Sequence, residues 1–133
     1  MDENPLHVTA MAIAAFNARD VETFVGYTTD DFEWLPSMSP IEGGRFRGAA
    51  GIGKYFELLG DAWERFEVRP AVYLHTAAGI LMLGKLLGRG RGSGATVEDS
   101  LGMAFDLRDG RISRIRGFLD HDEARAAVGL TDP

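Results

Sequence analysis

The hydrophobic pattern of this chain changes period once, near residue 66, and that single change limits the fold more than any other feature. Before it, apolar residues recur at helical spacing. After it, they alternate or run continuously, as strands do. Asn4-Pro5 supplies an N-cap and a proline at the first helical position. Val8, Met11, Ala12 and Ala15 follow on one stripe, with Phe16 at its flank, and the helix is expected to stop near Ala18. Asp20 is placed to cap a short second helix carrying Val21, Phe24 and Val25. Residues 31–36 read as a first strand, with Phe32, Trp34 and Pro36 on one side and Glu33 on the other. Residues 37–44, rich in Ser, Pro and Gly, read as loop. A third helix is predicted over about 49–65, its stripe formed by Ile52, Tyr55, Phe56, Leu59 and Trp63. Gly51, Gly53 and Gly60 weaken it by about 1 kcal/mol each against Ala, so tertiary packing must hold it.

Beyond the change of period, residues 67–75 alternate, and residues 80–87 form the continuous apolar run of a strand covered on both faces. Gly92-Ser93-Gly94 marks a turn, and residues 96–107 alternate again. Asp109-Gly110 sits between two strand-like runs and is the strongest hairpin signal in the chain. A last strand over 112–119 and a short terminal helix over 120–128, ended by Gly129, complete the order. Helix, helix, strand, helix and then four strands predict an α+β fold, its helices gathered on one face of a largely antiparallel sheet. At 133 residues, one domain spanning 1–133 is expected.

Composition removes whole classes of function. The chain has no cysteine, which excludes disulfides, thiolate zinc sites and cysteine nucleophiles. Histidine occurs only at 7, 75 and 121, so a multi-histidine metal site is not expected. Lys plus Arg is 14 against 20 for Asp plus Glu, a net charge of -6, which argues against general binding of nucleic acid or anionic membranes. No apolar run approaches the ~18 residues of a membrane span. The N-terminus has neither a basic n-region nor an apolar h-region, so a cytoplasmic protein is expected. The glycines at 51, 53, 88, 90, 92 and 94 fit no dinucleotide fingerprint, because no strand-glycine-helix unit surrounds them. No cofactor is implied.

Several stretches together carry a family resemblance. The run Ala14-Ala15-Phe16-Asn17-Ala18-Arg19-Asp20, followed by Asp30-Asp31-Phe32-Glu33-Trp34, resembles the opening of the nuclear transport factor 2-like superfamily, SnoaL-like branch. Phe46-Arg47-Gly48, Leu107-Arg108-Asp109-Gly110-Arg111-Ile112, Phe118-Leu119-Asp120 and the tail Glu123-Ala124-Arg125-Ala126-Ala127 extend the resemblance over nearly the whole chain. It implies a cone: a strongly curved mixed sheet wrapped around three N-terminal-half helices, with a short C-terminal helix and an apolar pocket at the open end. It also implies a homodimer paired through the convex sheet face. Relatives include ketosteroid isomerases, polyketide cyclases, dehydratases, limonene epoxide hydrolases and non-catalytic members, so fold alone does not give function.

The relatives' catalytic groups are missing when placed residue by residue. The ketosteroid isomerase tyrosine falls at Ala12, its base near Pro36 and its second carboxyl at Met103. The arginine and aspartate that limonene epoxide hydrolase carries on one strand fall near Gly84 and Leu86, although its last aspartate matches Asp120. The acid/base of the SnoaL-type cyclases falls near Gly117.

Other residues then become the candidates. In the strand 96–107 one parity reads Val97, Asp99, Leu101, Met103, Phe105, which makes Asp99 the single charge on the apolar side. A carboxyl held there would have its pKa raised and serve as acid or base near neutrality. The plainer reading puts Asp99 at a solvated strand end. His75 closes a strand and is either a proton shuttle at a pocket rim or a solvated turn residue. Tyr27 is a candidate hydroxyl donor. Asp120, with His121 and Asp122, is either an acid/base group at the pocket lip or the N-cap of the last helix, Glu123 completing a capping box. Three adjacent side chains rarely converge on one ion, so no metal site is expected. Trp34, Phe56, Trp63, Leu101, Met103 and Phe105 are the candidate apolar lining for a small-molecule ligand. Arg89 and Arg91 either grip an anion or end a hairpin. Arg114 and Arg116 share parity with Phe118 and suit a dimer face.

Two classes of function follow. One is a cofactor-independent cyclase, isomerase, dehydratase or epoxide hydrolase acting on an apolar substrate. The other is a non-catalytic ligand-binding or dimeric interaction module. Whether Asp99 lies in an open cavity separates them.

Overall fold

The computed structural model describes residues 4–36 and 45–130. The expected loop over 37–44 lies outside the described residues. Helix α1 (Pro5–Asn17) starts as its sequence predicts, with the Asn4 side chain accepting the Leu6 N–H at 2.8 Å. Helix α2 (Val21–Gly26) is capped by Asp20, which accepts from the Thr23 N–H and hydroxyl. Between them Arg19 takes a left-handed conformation, with φ of 58°. Strand β1 (Thr28–Leu35) and the two-residue β2 (Phe46–Arg47) lead into α3 (Gly48–Ala62). Strands β3 (Trp63–His75), β4 (Gly79–Gly90), β5 (Thr96–Arg108) and β6 (Arg111–Phe118) follow, then α4 (His121–Ala127). Asp109 and Gly110 turn β5 into β6 with φ of 53° and 78°, the pair of positive values that a tight two-residue hairpin needs.

The described strands form one curved sheet in the order β2-β1-β6-β5-β4-β3. Only the β1–β6 pairing is parallel. Helices α1, α2 and α3 fill the inner face, where their stripes meet the inward parity of every strand. The mixed α+β architecture is the expected one, with three differences of detail.

First, β1 begins three residues before the predicted start, and the two-residue β2 carries too short a pattern to read. Second, Trp63 does not close the third helix; it opens β3. Trp63 pairs with Gly90, the Arg91 N–H takes the Ala62 carbonyl at 3.1 Å, and the indole lies over Gly88. Strand pairing overrides the helical spacing there. Third, the helices are not all on one face. Helix α4 packs on the outer face over Leu81, Leu83 and Ala104. Gly102 permits that approach, since a Cβ there would sit 2.5 Å from the Ala124 Cβ. His121 Nε2 lies 3.0 Å from the Gly84 carbonyl oxygen and pins the start of the helix to β4. This explains why β4 reads as apolar on both sides: α4 covers what the first three helices do not.

Candidate functional site

The inner face closes around an aromatic cluster. Trp34 stacks on Phe24 at 5.1 Å between centroids and meets the edges of Phe16, Phe32, Tyr55 and Phe56. Such pairs add roughly 0.5–1.5 kcal/mol each beyond the area they bury. At the open end of this cluster a cavity of about 20 Å³ remains, and the empty space grows to about 310 Å³ when its mouth is counted. The helices contribute Phe16 and Tyr55 to its wall. Trp34 and Pro36 come from β1, Phe66 and Val68 from β3, Leu86 from β4, Leu101 and Met103 from β5, and Gly117 from β6. Twenty cubic ångströms admits about one water.

The wall is held from outside. Asn17, at the end of α1, exchanges two hydrogen bonds with Val68: its Nδ2 donates to the carbonyl at 2.8 Å and its Oδ1 accepts the N–H at 2.9 Å. Arg19 donates to the carbonyls of Phe16 at 2.7 Å and Phe66 at 2.6 Å, and lies over the Phe16 ring. Both side chains bond the main chain of edge strand β3, which ties the end of α1 to the Phe66–Val68 wall.

Among the described residues of this wall, Tyr55 and Trp34 carry the nitrogen- and oxygen-bearing side chains, a hydroxyl and an indole N–H. Burial pushes the Tyr55 hydroxyl pKa far up, and the nearby positive charge of Arg19 offsets only part of that. The phenol therefore stays protonated at every physiological pH. Among the described residues no carboxylate and no imidazole lines the cavity.

The candidates named from sequence divide accordingly. Trp34, Leu101 and Met103 line the cavity as expected. Phe56 and Phe105 are buried core, Phe56 in the aromatic cluster and Phe105 opposite Ile80 and Ile115. Trp63 lies on the other side of Phe66, 5.4 Å between centroids, and is corrected from lining to strand cover. Tyr27 is half-buried beside α2 and contributes its carbonyl to Ile112, not its hydroxyl to a pocket. His75 is exposed at the end of β3. Asp120 caps α4, accepting from the N–H groups of Asp122 at 2.8 Å and Glu123 at 3.4 Å.

The placement of Asp99 is the main correction. It has the inward parity read from sequence, opposite Leu86 and two residues from Leu101. However, β6 ends at Phe118, opposite Gly102, so among the described residues no strand continues on that side of Asp99. The side chain is exposed, and its Oδ1 accepts the Ser100 N–H at 2.9 Å. It stands in water, not in the apolar space. Sequence reasoning missed Phe16, Pro36, Tyr55, Phe66, Val68, Leu86 and Gly117 as lining. Tyr55 and Phe16 were visible only as members of helical stripes, and nothing in a stripe says which member borders a gap.

The outer face carries the charge. Arg47, Glu33, Arg114 and Asp106 form one cross-strand row of alternating sign. Glu33 serves Arg45 and Arg47 at 3.6 and 3.4 Å, and Asp106 serves Arg114 and Arg116 at 3.1 and 3.8 Å. A groove of about 520 Å³ at the far end of β3, β4 and β5 is also polar, and its arginines 65, 69 and 89 are each paired with a glutamate. Among the described residues no group of three or more His, Asp or Glu converges as a metal site, and no helix is long and apolar enough to cross a membrane.

A curved mixed sheet closed over three helices, with a small apolar cavity at its open end, defines a cone-type α+β protein of the nuclear transport factor 2-like class. The model of the SnoaL-like domain family matches residues 8–115, and the chain belongs to that family. No curated protein matches. Among solved structures, a nuclear transport factor 2-like protein of unknown function from Burkholderia pseudomallei has a TM-score of 0.79 at 17% identity, over 95% of this chain and 98% of that one. TerC, co-crystallised with polyporic acid, has a TM-score of 0.76 at 19% identity, over 96% and 98%. A candidate polyketide cyclase from Xanthomonas campestris has a TM-score of 0.74 at 22% identity, over 93% and 96%. At such identities the likeness shows the fold alone.

Proposed function

We propose that this chain is a non-catalytic pocket protein that takes the apolar, ring-shaped end of a small molecule at the mouth of its inner cavity. One observation carries the reading: the described residues of the cavity wall include no group able to take or give a proton near neutral pH. Three of the positions where the resemblance puts relatives' acid/base groups are here Pro36, Met103 and Gly117, and all three are on that wall; the matching Asp120 caps α4. The gap is small, but Met103 and Leu86 are flexible and apolar, and a methionine readily yields space to a ligand. Trp34 supplies a rigid aromatic wall. The Trp34 indole N–H and the Tyr55 hydroxyl add polar groups to a mostly apolar lining, the usual composition of a small-molecule site. TerC, of like fold, was co-crystallised with polyporic acid, which is consistent with a small-molecule ligand here.

The probe is 2-decalone, a neutral bicyclic ketone, titrated while the Met103 methyl resonance is followed. Saturable movement of that methyl is expected. A silent Met103 would refute the proposal.

The catalytic reading retains one favourable observation, the inward parity of Asp99 beside Leu101. It requires a substrate that reaches from the cavity out to a solvated carboxylate.

Pairing of two copies through the sheet is part of the same proposal. Helix α4 covers the apolar part of the outer face, which leaves the alternating charge row for contact. A twofold axis reverses such a row, setting Arg47 against Asp106 and Glu33 against Arg114 of a second copy. Sedimentation of Arg114→Glu tests this: it should dissociate a wild-type dimer, and a wild-type monomer would end the idea.

A further inference from the structure

A second cleft, of about 470 Å³, opens on the opposite side of α3 from the aromatic cavity wall, between α3, the α1–α2 junction and the start of β3. Its volume lies in the range of small-molecule sites. Arg19 and Arg91 both line it. Neither has a carboxylate within ion-pair distance among the described residues. Main-chain carbonyls hold both instead: Arg19 those of Phe16 and Phe66, and Arg91 those of Gly60 at 3.0 Å and Trp63 at 3.5 Å. Each guanidinium is thus positioned in advance without an ion pair of its own among the described residues, so an incoming anion pays little ordering cost.

The floor of the cleft is equally suggestive. Gly53 and Gly60 are on one face of α3, seven residues apart, and both line the cleft. A Cβ built on either meets nothing within 4 Å, and neither has a positive φ. The fold therefore does not require glycine at these two positions, unlike Gly51, where a Cβ would lie 2.8 Å from the Phe46 carbonyl carbon. Two glycines that weaken a helix without serving its packing leave a shallow floor for a flat group. Trp63 stands at its edge as a stacking surface. Two glutamates also line the cleft; Glu64 is engaged by Arg89 at 3.5 Å, and Glu57 is exposed on α3.

We infer that this cleft binds a carboxylate carried on a flat aromatic body, the ring lying on Gly53 and Gly60 beside Trp63 and the carboxylate facing Arg19 and Arg91. The site is separate from the inner cavity and does not depend on the reading given above.

The test uses 1-naphthoate, with 1-naphthalenemethanol as its neutral counterpart, titrated at low salt into the whole protein. Binding of the acid is expected to shift the amide resonances of Gly53 and Gly60 and to leave Gly117, on the inner cavity, unmoved. The alcohol should bind at least tenfold more weakly, and Arg91→Gln should weaken the acid at least fivefold. Gly60→Leu should abolish binding while the melting temperature holds or rises, because leucine favours the helix and its side chain occupies only the cleft. No binding at millimolar naphthoate, equal affinity for acid and alcohol, shifts at Gly117 instead, or a Gly60→Leu variant that still binds would each overturn the assignment.

Discussion

The two faces of the one sheet are built from the same strands and share almost no chemistry. The inner parity of β1, β5 and β6 contributes Phe32, Trp34, Leu101, Met103, Phe105 and Ile115, with no charge under the helices. The outer parity of the same strands contributes Glu33, Asp106, Arg114 and Arg116. Strand alternation alone sorts the residues this way. The contrast teaches where proton chemistry is possible: titratable groups are plentiful on the face that has water, and among the described residues the lining of the inner cavity has one titratable group, a phenol that burial keeps neutral. Asp99 is the apparent exception, and its strand outruns the cover that would have enclosed it.

The largest way to break the contrast is to remove its inner pole. Trp34→Ala should cost about 3–5 kcal/mol in urea unfolding, the range for large aromatic deletions in a core. A loss under about 1 kcal/mol would mean the aromatic cluster is loosely packed. Next in size is the point where the outer face is not polar. Gly102→Ala pushes a methyl into Ala124, and overpacking of this kind costs about 1–3 kcal/mol. If it is neutral, α4 does not hold its place on the sheet.

The charged part of the outer face should be far more tolerant. Asp106→Asn removes the shared partner of two arginines, yet surface pairs of this kind are worth roughly 0–1 kcal/mol. A larger loss would show that the row acts as a structural network. The smallest effect is electrostatic. The Arg108 guanidinium and the Thr29 hydroxyl, bonded to Asp31, hold its carboxyl well below the usual range, at about 2. The folded pKa lies below the unfolded one, so this pair's contribution is present above about pH 4. It fades as pH falls toward about 2. A carboxyl-carbon NMR titration should place Asp31 there, and Arg108→Gln should move it up toward the ordinary value; no movement would remove the pair from the outer-face electrostatics.

Most of the element order was legible because helix and strand periods differ and because capping residues announce themselves. Asn4, Asp20, Asp120 and Asp109-Gly110 all do locally what their types predict. Trp63 was misplaced because its spacing continues the α3 stripe, while its strand partner, Gly90, is remote in sequence. The covering of both faces of β4 was legible in its continuous apolar run, but not which element did the covering. The cavity was harder to read. Parity identified Leu101 and Met103, and it named Asp99 by the same rule, since alternation reports a face and says nothing of where a neighbouring strand stops. Arg91 was read beside Arg89 as an anion grip or a hairpin end, Arg19 looked ordinary in sequence, and only the fold brings Arg19 and Arg91 to one cleft.

The reading of the inner face as free of a working base is tested most directly by deuterium exchange at the carbons beside the carbonyl of 2-decalone, in D2O near neutral pH. With the ketone shown to bind by the Met103 methyl, the predicted exchange rate equals that of buffer, for wild type and Asp99→Asn alike. Exchange accelerated by wild-type protein and lost in Asp99→Asn would contradict it, and would make the solvated carboxylate at the end of β5 a catalytic base.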